Sequence, residues 1–226
     1  MIELHTFSVV AYDKSEKAFG VAVTTARPNV GSICPFVSLN GAVGTQARVN
    51  PDHGRNALEL FKLGVGVQDA LMVLLKGDPE RELRQLHGVD AQGCFAFTGT
   101  ACVPWAGQHA GGHFSVAGNM LAGPGVVEAA AEAMRSTQGT KLNLAQRLIG
   151  ALGAGQAAGG DKRGKQSAAL VIASPRPRWY HNLRVDDHAT PVAELRRLYG
   201  VVAAESDHIK AQYDEKSLDL FSRVKW

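Results

Sequence analysis

Thr6-Phe7-Ser8-Val9-Val10-Ala11-Tyr12-Asp13 is followed by the polar stretch Lys14-Ser15-Glu16-Lys17 and then by Phe19-Gly20-Val21-Ala22-Val23-Thr24-Thr25. Two β-branched, apolar runs flank a charged tip, which predicts an antiparallel hairpin. Side chains alternate along a strand, so Thr6, Ser8 and Val10 share one face. Pairing about the tip brings Thr24 and Thr25 beside Thr6 and gathers hydroxyls at one end of a sheet. A threonine hydroxyl needs an adjacent base to act as a nucleophile. Its own α-amino group, with a pKa of roughly 7.7–8.0 when free, can be that base.

Working outward, Arg27 to Gly31 reads as a loop, and Ile33–Leu39 and Ala42–Ala47 read as strands. Asn40-Gly41 between them is a two-residue hairpin signal. Gln46 to Gly54 is polar and leads into a helix, with Asn56 as its expected N-cap. A second helix is expected from Gln68 to Leu75. Pro79 is expected to open a third, running to Leu86. Val89–Thr98 reads as a strand pair or one bulged strand, with a turn at Ala91-Gln92-Gly93, and Thr98–Gly107 as a loop. Phe114–Ala117 is a short strand. Val126–Arg135 is a helix, and Asn143 caps a second from Leu144 to about Ala151, with a continuation through Gly153 and Gly155 to Ala158 left open, where the glycines permit close packing. Ala168–Ala173 and Tyr180–Val185 are strands, and Pro191 opens a helix through Tyr199. Strands and helices come in groups rather than in βα alternation, which points to an α+β fold with two stacked sheets between helical layers.

With 226 residues and no linker or repeat, residues 1–200 are expected to form one domain. Residues 201–226 form a charged tail. Ile209, Tyr213, Leu218, Leu220 and Phe221 make an apolar stripe on it, suited to packing on the body or on a second subunit. A homo-oligomer is therefore expected. The formal charge of +3 and the scarcity of aromatics among basic residues argue against nucleic acid. No apolar run reaches the length of a membrane span, and the N-terminus lacks secretory features. Cys34, Cys94 and Cys102 form no disulfide framework and no zinc spacing. A cytoplasmic location follows as the expectation. His109 and His113 have helical ligand spacing, but Gly111 and Gly112 between them exclude the helix, so no metal is expected.

Several segments carry a resemblance: Thr6 to Ala11, Gly44-Thr45-Gln46-Ala47, Thr98-Gly99, Trp105-Ala106-Gly107, Gly118-Asn119-Met120-Leu121, Gly155 to Leu170 with its Gly-Gly-Asp-Lys-Arg-Gly core, and Leu183 to His188. From Thr6 to Tyr199 the chain resembles the bacterial and archaeal family known as domain of unknown function 1028. That family in turn resembles the N-terminal nucleophile hydrolases. The resemblance implies a four-layer αββα sandwich and an amide hydrolase acting on a small amide or peptide, with no cofactor. Carried over by position, Thr6 is the nucleophile.

Around it, Thr24 and Thr25 are candidates to hydrogen-bond the nucleophile or its amine. Gln46 and Asn50 are candidates to polarise a carbonyl. Thr98 and Asn119 are candidates to line the cleft, and Asp161 to contact substrate or to fix its own turn. Asp187-His188 are adjacent and do not face each other on a strand. Two departures from the superfamily pattern stand out. Met1 to His5 precede Thr6, and the third strand carries no lysine. The competing expectation is an inactive relative that binds a small molecule or serves in assembly.

Overall fold

The computed structural model describes residues 6–213 and Leu218, together with the backbone of residues 3 and 4. The elements run β1 (Glu3–Leu4), β2 (Thr6–Asp13), β3 (Ala18–Thr25), β4 (Pro35–Ser38), β5 (Gly41–Arg48), α1 (Pro51–Lys62), α2 (Val67–Lys76), β6 (Arg84–Val89), β7 (Cys94–Thr98), β8 (Gly107–Gly111), β9 (Phe114–Gly118), α3 (Gly125–Ser136), α4 (Leu144–Ala157), β10 (Ser167–Ala173), β11 (Asn182–Val185) and α5 (Pro191–Tyr213). The fold is mixed α/β with two antiparallel sheets. One sheet is ordered β1-β5-β6-β7, with β4 also on β5. The other is ordered β11-β10-β3-β2-β9-β8.

The β2–β3 hairpin lies at the centre of the six-stranded sheet, with Thr6 opposite Thr25 and Asp13 opposite Ala18. Alternation divides its side chains cleanly. Phe7, Val9 and Ala11 join Val126, Ala130 and Met134 of α3 and Leu148 and Leu152 of α4 in one apolar cluster. Gly155 allows α4 to come this close, since a Cβ there would lie 2.7 Å from the Phe7 ring. Fully burying a ring such as Phe7 contributes about 1.5–3 kcal/mol. Val43 and Leu86 of the other sheet pack instead against Phe61 of α1 and Leu71 of α2. The remaining faces of the two sheets meet each other, through Val10, Phe19, Val21, Ala42 and Val89 at one end.

Several expectations change. Asn56 lies inside α1, and the cap is Asn50, whose side chain accepts from Asp52 N with Pro51 at the first helical position. The helix expected from Pro79 to Leu86 is a 3-10 turn at Arg81–Leu83 followed by β6. Its strand character was hidden because its inward residues, Gln85 and His87, are polar. Gly107–Gly111, expected to end a loop, forms β8 and pairs with β9. The helix from Pro191 continues past Tyr199 as one 23-residue helix. Of the expected tail stripe, Leu218 is buried and Tyr213 exposed. Leu220 and Phe221 lie outside the described residues.

Candidate functional site

Ser8, Gln46, Gln85, His87, Ser115 and Asn119 are fully buried between the sheets. Burying polar groups is costly unless each is hydrogen-bonded, and here they satisfy one another. Ser8 Oγ donates to Gln46 Oε1 at 2.6 Å and lies 2.7 Å from His87 Nε2. His87 Nδ1 lies 2.9 Å from Ser115 Oγ. Gln46 Nε2 donates to Gln85 Oε1 at 2.7 Å and to Ala117 O at 3.0 Å. Gln85 Nε2 donates to Thr98 Oγ1 at 2.8 Å and Gly118 O at 2.9 Å, while Asn119 Nδ2 donates to Gln85 Oε1 at 3.1 Å. Gly44 makes room for this layer, because a Cβ there would sit 2.6 Å from His87 Nε2.

The proton positions follow from the donor inventory. Gln46 points its nitrogen at two acceptors, so its oxygen faces Ser8 and takes the single Ser8 hydrogen. His87 Nε2 must then carry a proton and donate to Ser8, and Nδ1 accepts from Ser115. Each group hands a hydrogen to the next from Ser115 through His87, Ser8, Gln46 and Gln85 to Thr98, which donates onward to Gln108. His87 is thereby held neutral, and burial pushes its pKa down to about 3. It is a structural hinge of the polar layer, with no free lone pair for base chemistry. Burial also pushes the Cys34 thiol up to about 12 and the Cys102 thiol up to about 11, which keeps both protonated.

At the end of this layer lies Thr6. It is fully buried, and its Oγ1 has no hydrogen-bond partner. Its carbonyl accepts from Asn119 N at 3.0 Å and lies 3.5 Å from Gln46 Nε2. The residues ahead of it cross from one sheet to the other: Glu3 pairs with Arg48 and Leu4 with Ala47, whereas Thr6 begins β2. Thr6 is thus in peptide linkage at the point where the chain bridges the sheets. On β6, across β5 from β1, Arg84 donates to Asp78 and Glu80, each at 2.8 Å, and His53 Nε2 lies 3.1 Å from Asp78. Burial pushes the Asp78 carboxyl up, but its bonds to Arg84 and Glu80 N prevail and hold it below the usual range.

Of the residues expected here, Gln46, Thr98 and Asn119 converge through Gln85, and Thr25 stands opposite Thr6. Both hydrogens of the Gln46 amide already have acceptors, so its part is to position the strand ends. Thr24 pairs with Phe7 and faces the helices, where its hydroxyl donates to Ser167 O at 2.9 Å. Asn50 caps α1. Asp161 accepts from Arg163 at 2.6 Å and from Ala26 N at 3.3 Å, which ties its turn to the end of β3. Asp187 accepts from Gln166 and His188 from Thr190, so the adjacent pair does not act together. Ser8, Gln85, His87 and Ser115 were not foreseen. For Ser8 and Ser115 the visible signal was a polar residue within a strand that otherwise reads as apolar; for Gln85 and His87 the helical reading of the segment hid it.

A family model described as a family of unknown function, DUF1028, matches residues 6–195. The chain belongs to the DUF1028 family. The crystal structure of a Silicibacter pomeroyi protein bearing the same family name is 31% identical, with a TM-score of 0.79 over 87% of this chain and 85% of that one. No curated protein matches the chain. The family limits thus begin at Thr6 and leave out the five residues before it. No helix among the described residues is long and apolar enough to cross a membrane. Nor do these residues hold a His, Cys, Asp and Glu group that could bind a metal.

Proposed function

We propose that this DUF1028 protein is an amide hydrolase of the N-terminal nucleophile type, acting on a small amide or peptide after the His5–Thr6 bond is cut. Two facing sheets with helices packed outside each support an αββα layering of that kind. The observation that carries the reading is Thr6 Oγ1, a buried hydroxyl with no partner. An unsatisfied buried hydroxyl costs about 1–3 kcal/mol, so its retention calls for a role. Cutting the bond would leave the Thr6 amine beside its own hydroxyl. The amine takes the hydroxyl proton as Oγ1 bonds to the substrate carbonyl carbon. That proton then passes to the departing amine, and water hydrolyses the resulting ester. Gln46, Asn119 and Gln85 hold the strand ends while this happens.

The test is the intact mass and N-terminal sequence of protein freshly purified from cells, beside the Thr6→Ala variant. The expected result is a wild-type chain beginning at Thr6, able to hydrolyse amino-acid p-nitroanilides, and a variant that keeps Met1 and is inactive. A wild-type chain that keeps Met1 yet hydrolyses amides would overturn the mechanism. A chain that keeps Met1 and is inactive would support the second reading, a non-catalytic binding or assembly module. The lysine-free β4 favours that alternative.

A further inference from the structure

We infer that β1 marks the place of the substrate's acyl half, and that the substrate is an extended peptide pairing with β5 where β1 now pairs. The chemistry of this site rests on the hydrolase reading; the pairing itself needs no turnover. β6 lines one edge of β5 from Ala42 to Ala47. β4 and β1 divide the other edge, β4 over Gly41–Gly44 and β1 over Ala47–Arg48. β4 is fixed there, because it joins β5 through the turn at Leu39-Asn40, and Cys34 O accepts from Thr45 N at 3.1 Å beyond its last pair. β1 is held differently. Its two pairs are too few to keep a free strand in place, and its tether is the chain running on into Thr6. Ala47, where β1 takes over the edge, has a left-handed backbone, φ 64°, although it is not glycine. That conformation is costly and breaks the regular course of a strand, so the part of the edge that β1 occupies is set off from the part that β4 occupies.

Cutting the His5–Thr6 bond removes that tether. The freed segment leaves, and the backbone groups of β5 that faced it open to a new strand, the situation that strand addition exploits. The place of this edge relative to Thr6 gives it a function. Leu4 and Glu3 stand two and three positions before the bond to Thr6, opposite Ala47 and Arg48. In the proposed reaction the substrate C–N bond breaks, its carbonyl carbon bonds to Thr6 Oγ1, and the departing amine takes the proton. The acyl residue then hangs from the oxygen of the same threonine whose nitrogen carried residue 5. The residues before it fall opposite Ala47 and Arg48, as Leu4 and Glu3 do now. The ester restores the tether while the intermediate lasts, and hydrolysis removes it again, so weak pairing lets the product go. A single amino-acid amide cannot reach this edge. The family limits divide the chain at the same point: the match begins at Thr6, with β5 inside it and β1 outside.

The test compares a closed edge with open ones. Thr6→Ala, expected to keep β1, is the closed form. The open forms are the wild-type chain cut at Thr6 and a full-length Thr6→Ala chain that also carries Glu3→Pro and Leu4→Pro, whose prolines cannot donate to the ladder. Hydrogen exchange over Gln46–Val49 is the readout. The probe is acetyl-Ile-Glu-Leu-His-amide at about 10 mM, a concentration suited to weak pairing, and its control is the same peptide N-methylated at glutamate and leucine. Exchange is expected to be about tenfold faster in the open forms than in the closed one, and to be slowed again by the probe but not by the control. On the cut wild type, acetyl-Glu-Leu-His p-nitroanilide is expected to have a kcat/KM about tenfold above that of acetyl-His p-nitroanilide, and N-methylation is expected to remove the gain. Failure of the hydrolase reading shows separately: neither anilide is cut, while the proline form still takes the probe, which supports the strand site. That site is excluded if the probe leaves exchange in the proline form unchanged, if the methylated control protects equally, or if the two anilides are cut alike.

Discussion

The two ends of the inter-sheet layer share strands β2, β5 and β6 but are built from opposite materials. At the Thr6 end the side chains are amides, hydroxyls and an imidazole, all but one of the polar atoms engaged. At the Tyr12 end they are stacked rings and aliphatic groups. The contrast shows where the fold is specified and where it has room. A polar layer in which each donor has one acceptor admits one register of the two sheets. An aromatic end tolerates small shifts.

The sharpest way to break this contrast is Gln46→Leu. It removes the acceptor of Ser8 and two donations at once, and a loss of about 3–5 kcal/mol is expected from urea unfolding. A loss below about 1 kcal/mol would show that the polar layer does not hold the sheets in register. Acid is the next probe. His87 has a native pKa of about 3 because of burial, against about 6.5 unfolded. Between those values the unfolded chain takes up a proton that the native chain refuses, so stability falls as pH drops below about 6.5. By pH 4.5 the loss from His87 alone is roughly 2–3 kcal/mol. His181, likewise held at about 3 by burial and by Arg178, adds to it. A stability curve flat from pH 7 to 4.5 would exclude a neutral, buried His87.

At the other end, Phe19→Leu breaks the stack on Tyr12 and is expected to cost about 1–2 kcal/mol while leaving the state of Thr6 unchanged. A change in processing at Thr6 would mean that the ends are coupled. The smallest effect is the most telling. Thr6→Val keeps the shape and removes the unpartnered hydroxyl, so it is expected to raise stability by about 1 kcal/mol while abolishing any function that hydroxyl has. A destabilised Thr6→Val would mean the hydroxyl is structural.

The β2–β3 hairpin was legible in the sequence, because β-branched, apolar runs on either side of a charged tip are the direct mark of paired strands, while the Tyr12–Phe19 stack at its end emerges only from the pairing. The Asn143 cap and the helix it begins were legible too, and the structure adds a reciprocal bond from Gln146. The polar layer was not. Pro79 to Leu86 reads as helix when its central position is unknown, and only the partner sheet reveals that Gln85 and His87 point inward. The faces of Thr24 and Thr25 were lost for a related reason: proximity along the chain suggested a cluster, while strand alternation sends them to opposite sides. Asn50 was placed in a catalytic role because its capping bond depends on where α1 begins, and Pro51 fixes that point.

The order of the six-stranded sheet has a consequence for how the protein is made. The central hairpin leaves the ribosome well before its two flanking partners: Phe7 pairs with Gly118, and Thr25 with Ser167. At about 5–20 residues per second, β3 waits roughly 7–30 s for its neighbour. During that time both edges of an apolar hairpin are open to pairing with other nascent chains. The charged tip at Lys14–Lys17 and the hydroxyl-rich end at Thr24 and Thr25 are the polar parts of the hairpin available over that interval, and slow translation or crowded polysomes should be where this protein aggregates first.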